Sequence, residues 1–296
     1  MDEQIRINPE KEKKNATNYL DKLIHDSVND NNIIIKNKKK FSYENSYGKY
    51  IIKKNSTNYN NINFQDITIV LCLKNRPKRF KLYYTLNKSF FEKYNIKLII
   101  TEGKSNNMID TSIIKDVNYI THYVVDIKDV WSRAVLLNYG VDKCKTGTVI
   151  LSDIDFIYTH GFWNNILDLL NHTDLKKSFI GLALYETEKT IHDNNNNKVI
   201  RDKYEPYSAC YIIDKNVFIT VGGFDTKMIG FGWEERELQK RLLKNKVETI
   251  YTGLNYPYCY VLHYSHTGKL RGTPSLKNFD LLSKSETSKI EFKTTL

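Results

Sequence analysis

Hydrophobic and polar positions change character along this chain near residue 67. Residues 67–73 (Ile-Thr-Ile-Val-Leu-Cys-Leu) are almost wholly apolar, as expected of a strand buried on both faces. A basic turn follows, Lys74-Asn75-Arg76-Pro77-Lys78-Arg79, punctuated by Pro77. Residues 80–94 carry apolar positions at helical spacing, and 97–100 read as a second strand. A strand–helix–strand opening predicts a mostly parallel sheet. Further strands are predicted over 119–125, 148–151, 156–157, 179–185, 207–213 and 258–262. Helices are predicted over 131–143, 162–170 and 234–245, the last apolar at Leu238, Leu242 and Leu243. Gly222-Gly223 reads as a turn, and the asparagine run 194–197 as a loop tip. Residues 1–62 are charged and Asn-rich, with short apolar pieces such as 33–35, and read as a poorly ordered or loosely docked extension. The pattern therefore predicts one α/β domain over 63–283 and a loose polar tail over 284–296, with no internal repeat.

Composition adds little to that outline. Hydrophobic residues make up 41% of the 296 positions and the mean hydropathy is −0.51, enough for a core inside a very polar exterior. The net charge of +11 admits an anionic partner, whether nucleic acid, a membrane surface or a diphosphate. Cys72, Cys144, Cys210 and Cys259 lack CxxC or zinc-ligand spacing, which argues against a thiolate metal site and predicts buried thiols in a reducing compartment. No stretch reaches the length of a membrane span, and the first residues lack a signal-peptide core. A soluble, cytoplasmic protein is the expectation.

The chemistry is concentrated in four places. The strand over 148–151 runs into Ser152-Asp153-Ile154-Asp155. Two carboxylates at the carboxyl end of a buried strand are costly without a cation, and open α/β sheets bind ligands at that edge. Asp153 and Asp155 are therefore candidates to hold a divalent metal bridged to a diphosphate, although an acidic turn in solvent is the commoner origin of such a pair. Gly230-Phe231-Gly232-Trp233-Glu234-Glu235-Arg236-Glu237-Leu238 offers glycines for close backbone approach, aromatic rings for a sugar, and acids opening a helix. Acids in a first helical turn also simply complement the macrodipole. The same field favours an ionised carboxylate, which suits Glu235 as a proton acceptor. His263 and His266 follow a strand-like stretch and can complete a metal sphere. Gly268 to Pro274 has the glycines and cations of a mobile lid. Lys74, Arg76 and Arg79 follow the first strand, where they would face phosphates.

In order, these segments resemble the beta-1,4-galactosyltransferase family and related GT-A glycosyltransferases. Leu73-Lys74-Asn75-Arg76 is similar to that family's Phe-Arg-Asn-Arg turn. Trp131-Ser132-Arg133-Ala134-Val135-Leu136-Leu137-Asn138-Tyr139-Gly140 resembles its Phe-Asn-Arg-Ala-x-Leu-Leu-Asn-x-Gly segment. Ser152 to Asp155 matches its Ser-Asp-Val-Asp metal motif, Gly230 to Leu238 its Gly-Trp-Gly-Gly-Glu-Asp-Asp-Asp block, and His263-Tyr264-Ser265 its histidine stretch. The chain departs from the pattern where Phe231 replaces a tryptophan, Trp233 a glycine, Glu235 the catalytic aspartate, Arg236 an acid, and Ser208-Ala209 a glycine pair.

The resemblance implies a GT-A fold with a mixed, mostly parallel central sheet flanked by helices. It implies a UDP-sugar donor, a carbohydrate or glycoconjugate acceptor, and Mn2+ (or Mg2+) as cofactor. Asp155 and His263, with Asp153, would take the metal, and His266 is an alternative to His263. Lys74, Arg76, Arg133 and Asp153 would bind the nucleotide. Glu235 would be the catalytic base, and Glu234, Phe231 and Trp233 would face the acceptor, in an inverting transfer; the oligomeric state of the chain is left open. No nucleic-acid partner is expected. The rival expectations are a non-catalytic binder of nucleic acid or an anionic surface, and a metal-dependent nucleotidyltransferase or phosphodiesterase.

Overall fold

The computed structural model describes residues 58–128, 130–187, 199–205, 210–230, 232–252, 260–263, 275–284 and 290–295. A short 3-10 turn, Phe64–Asp66, capped by Asn63, delivers the chain into β1 (Ile67–Leu73), which is buried throughout. Helix α1 (Pro77–Tyr94) starts three residues earlier than the apolar spacing predicts. Pro77 occupies its first turn, where the fixed φ suits a helix and the missing N–H has no helical partner to lose. The chain continues through β2 (Lys97–Gly103), β3 (Ile120–Val125), α2 (Arg133–Lys143), β4 (Thr148–Ser152), β5 (Phe156–Tyr158) and α3 (His160–Asn171). It then forms β6 (Ser178–Gly181), β7 (Ala183–Thr187), β8 (Val199–Glu205), β9 (Tyr211–Asp214), α4 (Lys215–Thr220), α5 (Glu234–Lys244), β10 (Glu248–Tyr251), β11 (Tyr260–His263) and α6 (Leu276–Lys284).

Among the described residues seven strands form the main sheet, in the order β10-β6-β9-β4-β1-β2-β3, with β9 antiparallel to both neighbours and the other pairings parallel. Successive β1 side chains go to opposite faces, as strand geometry requires. Ile67, Ile69, Leu71 and Leu73 join the aromatic core under α1 and α3, with Phe80, Phe91 and Trp163. Val70 and Cys72 join the core under α2 and α5, with Leu136, Leu238 and Phe218. The sheet is thus covered on both faces, which accounts for the continuous apolar run. The α/β class and the mixed, mostly parallel sheet agree with the sequence expectation.

One local expectation is corrected, and two polar segments beside the domain are docked. The apolar stretch 179–185 is two strands in two sheets. Buried Leu182 interrupts it, its N–H donating to the Cys210 carbonyl at 3.0 Å, and β7 joins a second sheet ordered β5-β11-β7-β8. The end of the amino-terminal extension is docked. Asn60 Nδ2 donates to the Leu170 and Thr173 carbonyls, both at 2.7 Å, and Ile62 N donates to Asn171 Oδ1, also at 2.7 Å. The polar tail is also docked at 290–293. Phe292 packs on Phe218 with ring centroids 6.0 Å apart, and Asn138 Nδ2 donates to the Lys293 carbonyl at 2.7 Å. In each case side-chain amides and one or two apolar residues anchor a segment whose average composition is polar.

The docked tail runs against the Gly222-Gly223 turn. Gly222 has φ +93, and a Cβ there would lie 2.0 Å from the Ile290 carbonyl oxygen. Gly222→Ala is therefore expected to destabilise the fold by about 1–3 kcal/mol, from backbone strain and displacement of the tail. Urea unfolding checks this, and an unchanged midpoint would contradict the close approach.

Candidate active site

The site forms at the carboxyl edge of the parallel strands. Register places Leu71 of β1 beside Ser152 of β4, and Leu73 beside Glu102 of β2. The segments leaving β1 and β4 therefore emerge together. Arg76 and Arg79, at the start of α1, turn toward the acidic pair. Arg79 Nη1 lies 3.3 Å from Asp155 Oδ1, and Arg76 Nη1 lies 3.8 Å from Asp155 Oδ2. Lys74 sits between the ends of β1 and β2, its stem against Gly103.

Helix α2 supplies the central cation. Ser132 caps it by accepting from Val135 N at 3.3 Å, which fixes where the first helical residue, Arg133, projects. Arg133 is buried. Its Nε donates to Asp153 Oδ1 at 3.0 Å and its Nη1 lies 2.7 Å from Glu235 Oε1. Burial opposes the guanidinium charge, but Asp153 and Glu235 outweigh that penalty and hold it firmly protonated. One arginine thus joins Asp153 of the Ser152-to-Asp155 segment to Glu235 in the first turn of α5, far later in the chain.

Two further contacts fix α5. Gly230 N donates to the Trp131 carbonyl at 2.9 Å, and Ser132 bridges Gly230, so the glycine loop is stitched to the entrance of α2. Buried Asn278 of α6 accepts from Ile229 N at 3.1 Å and donates to the Gly232 carbonyl at 3.0 Å. Farther along α5, Arg241 forms a buried two-pronged pair with Glu237 and donates to the Val221 and Gly223 carbonyls at 2.6 Å. That clamp joins the helix to the Gly222-Gly223 turn.

Glu234 differs from its neighbour. It is 3% exposed, and among the described residues its Oε2 accepts no hydrogen bond. Burial, then repulsion from Glu235, pushes its carboxyl up from the ordinary 4.5 to about 7, despite the attraction of Arg133. The folded chain then holds this proton where the unfolded chain has released it, so stability falls as pH rises from about 4.5 to about 7. Glu234→Gln is expected to remove that slope and raise stability at pH 8 by roughly 1–3 kcal/mol. Thermal melts at pH 5 and pH 8 check this. Parallel pH profiles for both proteins would contradict it.

His263 reaches the site through the second sheet. Antiparallel β5–β11 register puts His263 opposite Phe156, the residue after Asp155, with their rings 5.8 Å apart. Carboxylate and imidazole are donor types that Mn2+ accepts, but among the described residues Asp153, Asp155 and His263 are not gathered into a group that could hold a metal ion. Phe231, His266 and the segment 264–274, which includes the expected lid, lie outside the described residues, as do the asparagine run 194–197 and Cys259. Cys72, Cys144 and Cys210 are buried, and burial pushes the Cys144 and Cys210 thiols up to about 12, which makes them poor nucleophiles.

The structure brings Arg76 to Asp155 and Arg133 to Asp153 and Glu235, with Glu234 in the field of the same arginine and Trp233 next to Glu234 in the chain, while His263 lies against Phe156 and Lys74 at the end of β1. Sequence reasoning missed the bridging position of Arg133, although the Arg-Ala-x-Leu-Leu-Asn-x-Gly match contains it. It also missed Asn138, which clasps Phe224 through Phe224 N to its Oδ1 and its Nδ2 to the Phe224 carbonyl, both at 2.9 Å. Asn278 and Phe279 carried no signal in the sequence.

A mixed sheet covered on both faces, with basic and acidic groups at its carboxyl edge, is an α/β fold with its ligand site where such sheets carry it. Residues 68–272 match the family model described as glycosyltransferase like family 2, and the chain belongs to that family. Among solved structures it is similar to the crystal structure of GalNAc-T7 with UDP, GalNAc and Mn2+ (TM-score 0.55, 12% identity, covering 75% of this chain and 48% of that one). The chain thus spans about half the length of that neighbour. No curated protein matches it. No helix among the described residues is long and apolar enough to cross a membrane.

Proposed function

We propose that this glycosyltransferase moves a sugar from a UDP-sugar to a hydroxyl of a carbohydrate or glycoconjugate, with inversion at the anomeric carbon. The observation that carries the reading is the Arg133 bridge, which sets the paired aspartates beside the acids of α5. The likeness of these same segments to the beta-1,4-galactosyltransferases supports the UDP-sugar and the inverting geometry. The UDP and Mn2+ named for the GalNAc-T7 structure support the cofactor.

Asp155 and His263, with Asp153, would hold Mn2+ or Mg2+. When bound, the cation neutralises charge on the diphosphate. The chain's own groups do the rest. Lys74, Arg76 and Arg133 hold the nucleotide, Arg76 swinging from Asp155 to phosphate oxygens. Phe231 and Trp233 face the acceptor sugar, and Glu234 accepts a hydrogen bond from it. Glu235 takes the acceptor hydroxyl proton as that oxygen attacks the anomeric carbon and the bond to UDP breaks. A second reading exchanges the two glutamates. Glu234 has the unbonded oxygen and a carboxyl poised near neutrality, while Glu235 is held by Arg133.

A screen of UDP-sugars for UDP release with Mn2+ tests the activity, with water as the default acceptor. Asp155→Asn is expected to weaken Mn2+-dependent UDP binding about tenfold or more, in line with the loss of a charged ligand. Calorimetry with UDP and Mn2+ reads this directly, and unchanged affinity would remove Asp155 from the ligand set.

A further inference from the structure

We infer that Phe279 of α6 forms, with Trp233, the wall against which the acceptor's sugar ring lies; this rests on the transfer reaction proposed above. Trp233 immediately precedes Glu234 and occupies the N-cap of α5 at φ 78, ψ −11, in the left-handed region. A bulky residue there is strained, and such strain persists where the surroundings enforce it and concentrates at functional sites. The enforcement is visible. Asn278 holds both Ile229 N and the Gly232 carbonyl, and its neighbour Phe279 packs on the indole with ring centroids 5.1 Å apart. The Arg236 guanidinium lies 5.0 Å from the same indole ring. Phe279 itself is 48% exposed. Trp233, one residue before the glutamates, is backed by Phe279, whose ring is open to solvent, and the two rings together have the form of a platform for the apolar face of a pyranose.

The occupant is therefore an acceptor whose reacting hydroxyl sits on a sugar ring, in contrast to an amino-acid hydroxyl. Arg236 closes the indole side, which leaves the exposed Phe279 ring as the surface that meets the sugar. Phe279 acts on acceptor recognition, and its removal is expected in the acceptor KM more than in kcat.

The test uses the full chain, whichever UDP-sugar gives UDP release with water, and the methyl β-glycosides of glucose, galactose and N-acetylglucosamine as acceptor probes. At least one glycoside is expected to be glycosylated. Phe279→Ala is expected to raise its KM about five- to tenfold, in the range of one aromatic contact, and Phe279→Tyr to retain the original value. Leu276→Ala is the control. Leu276 is 81% exposed on the same helix, and no ring contact joins it to Trp233, so its variant should match the parent. Phe279→Leu with the parent KM, or Leu276→Ala as impaired as Phe279→Ala, overturns the inference. So does a chain that releases UDP with water yet glycosylates none of the three glycosides. A chain that cleaves no UDP-sugar at all fails the transfer reaction itself.

Discussion

Glu235→Gln is expected to lower sugar transfer by about 10²–10⁴-fold while leaving UDP affinity unchanged, because it removes a positioned base and little else. The amide is the same size as the carboxylate and still offers an oxygen to Arg133, so the bridge to Asp153 can persist. Steady-state UDP release with a glycoside acceptor reads the first quantity and calorimetry with Mn2+ and UDP the second. Equal turnover by the variant removes Glu235 from the base role. The companion variant Glu234→Gln separates the two readings of the site. Glu234 is the more buried of the pair and holds its proton near neutrality, so it suits a group that exchanges protons at working pH. Should Glu234→Gln lose more rate than Glu235→Gln, with a flattened pH–rate profile, the proton acceptor is Glu234 and Glu235 positions Arg133.

The contrast between these neighbours shows where sequence reading stops. The acids could be found because they open a helix after a glycine-rich turn, and the helix could be found from Leu238 and Leu242. Which acid meets Arg133 depends on the rotation of α5, and that is set by contacts distant in sequence: Gly230 to Trp131, Asn278 to Gly232, Arg241 to Gly223. None of these has a local signature. The parallel sheet was legible for the opposite reason. A strand buried on both faces must be apolar throughout, so β1 and β4 announce themselves. The break at Leu182 did not, because an apolar residue leaving one sheet for another is still apolar. His263 occupies a middle ground. Its residue type suggested a ligand, but its position opposite Phe156 follows from β5–β11 register, which no short-range pattern encodes.

Arg133→Met is expected to be among the most damaging substitutions in the chain, destabilising it by about 3–5 kcal/mol. The side chain lies in the interior, and its removal leaves Asp153 and Glu235 facing each other without their shared cation. Glu234 stands close enough to feel the same loss, since Arg133 is the group that offsets its burial. The damage should be partly reversible. Neutralising the stranded acids in the triple variant Arg133→Met, Asp153→Asn, Glu235→Gln removes the repulsion. Its stability is then expected to exceed that of Arg133→Met by about 1–3 kcal/mol, a non-additive result for groups in one network. Urea unfolding at neutral pH measures each variant. If Arg133→Met unfolds near the parent midpoint, the arginine is not the element holding these segments together, and the assembly of the site must be sought in the Asn278 and Arg241 clamps. If the variant is unstable but not rescued, its cost comes from lost packing against Phe224, whose ring lies 5.7 Å from the guanidinium, and not from charge.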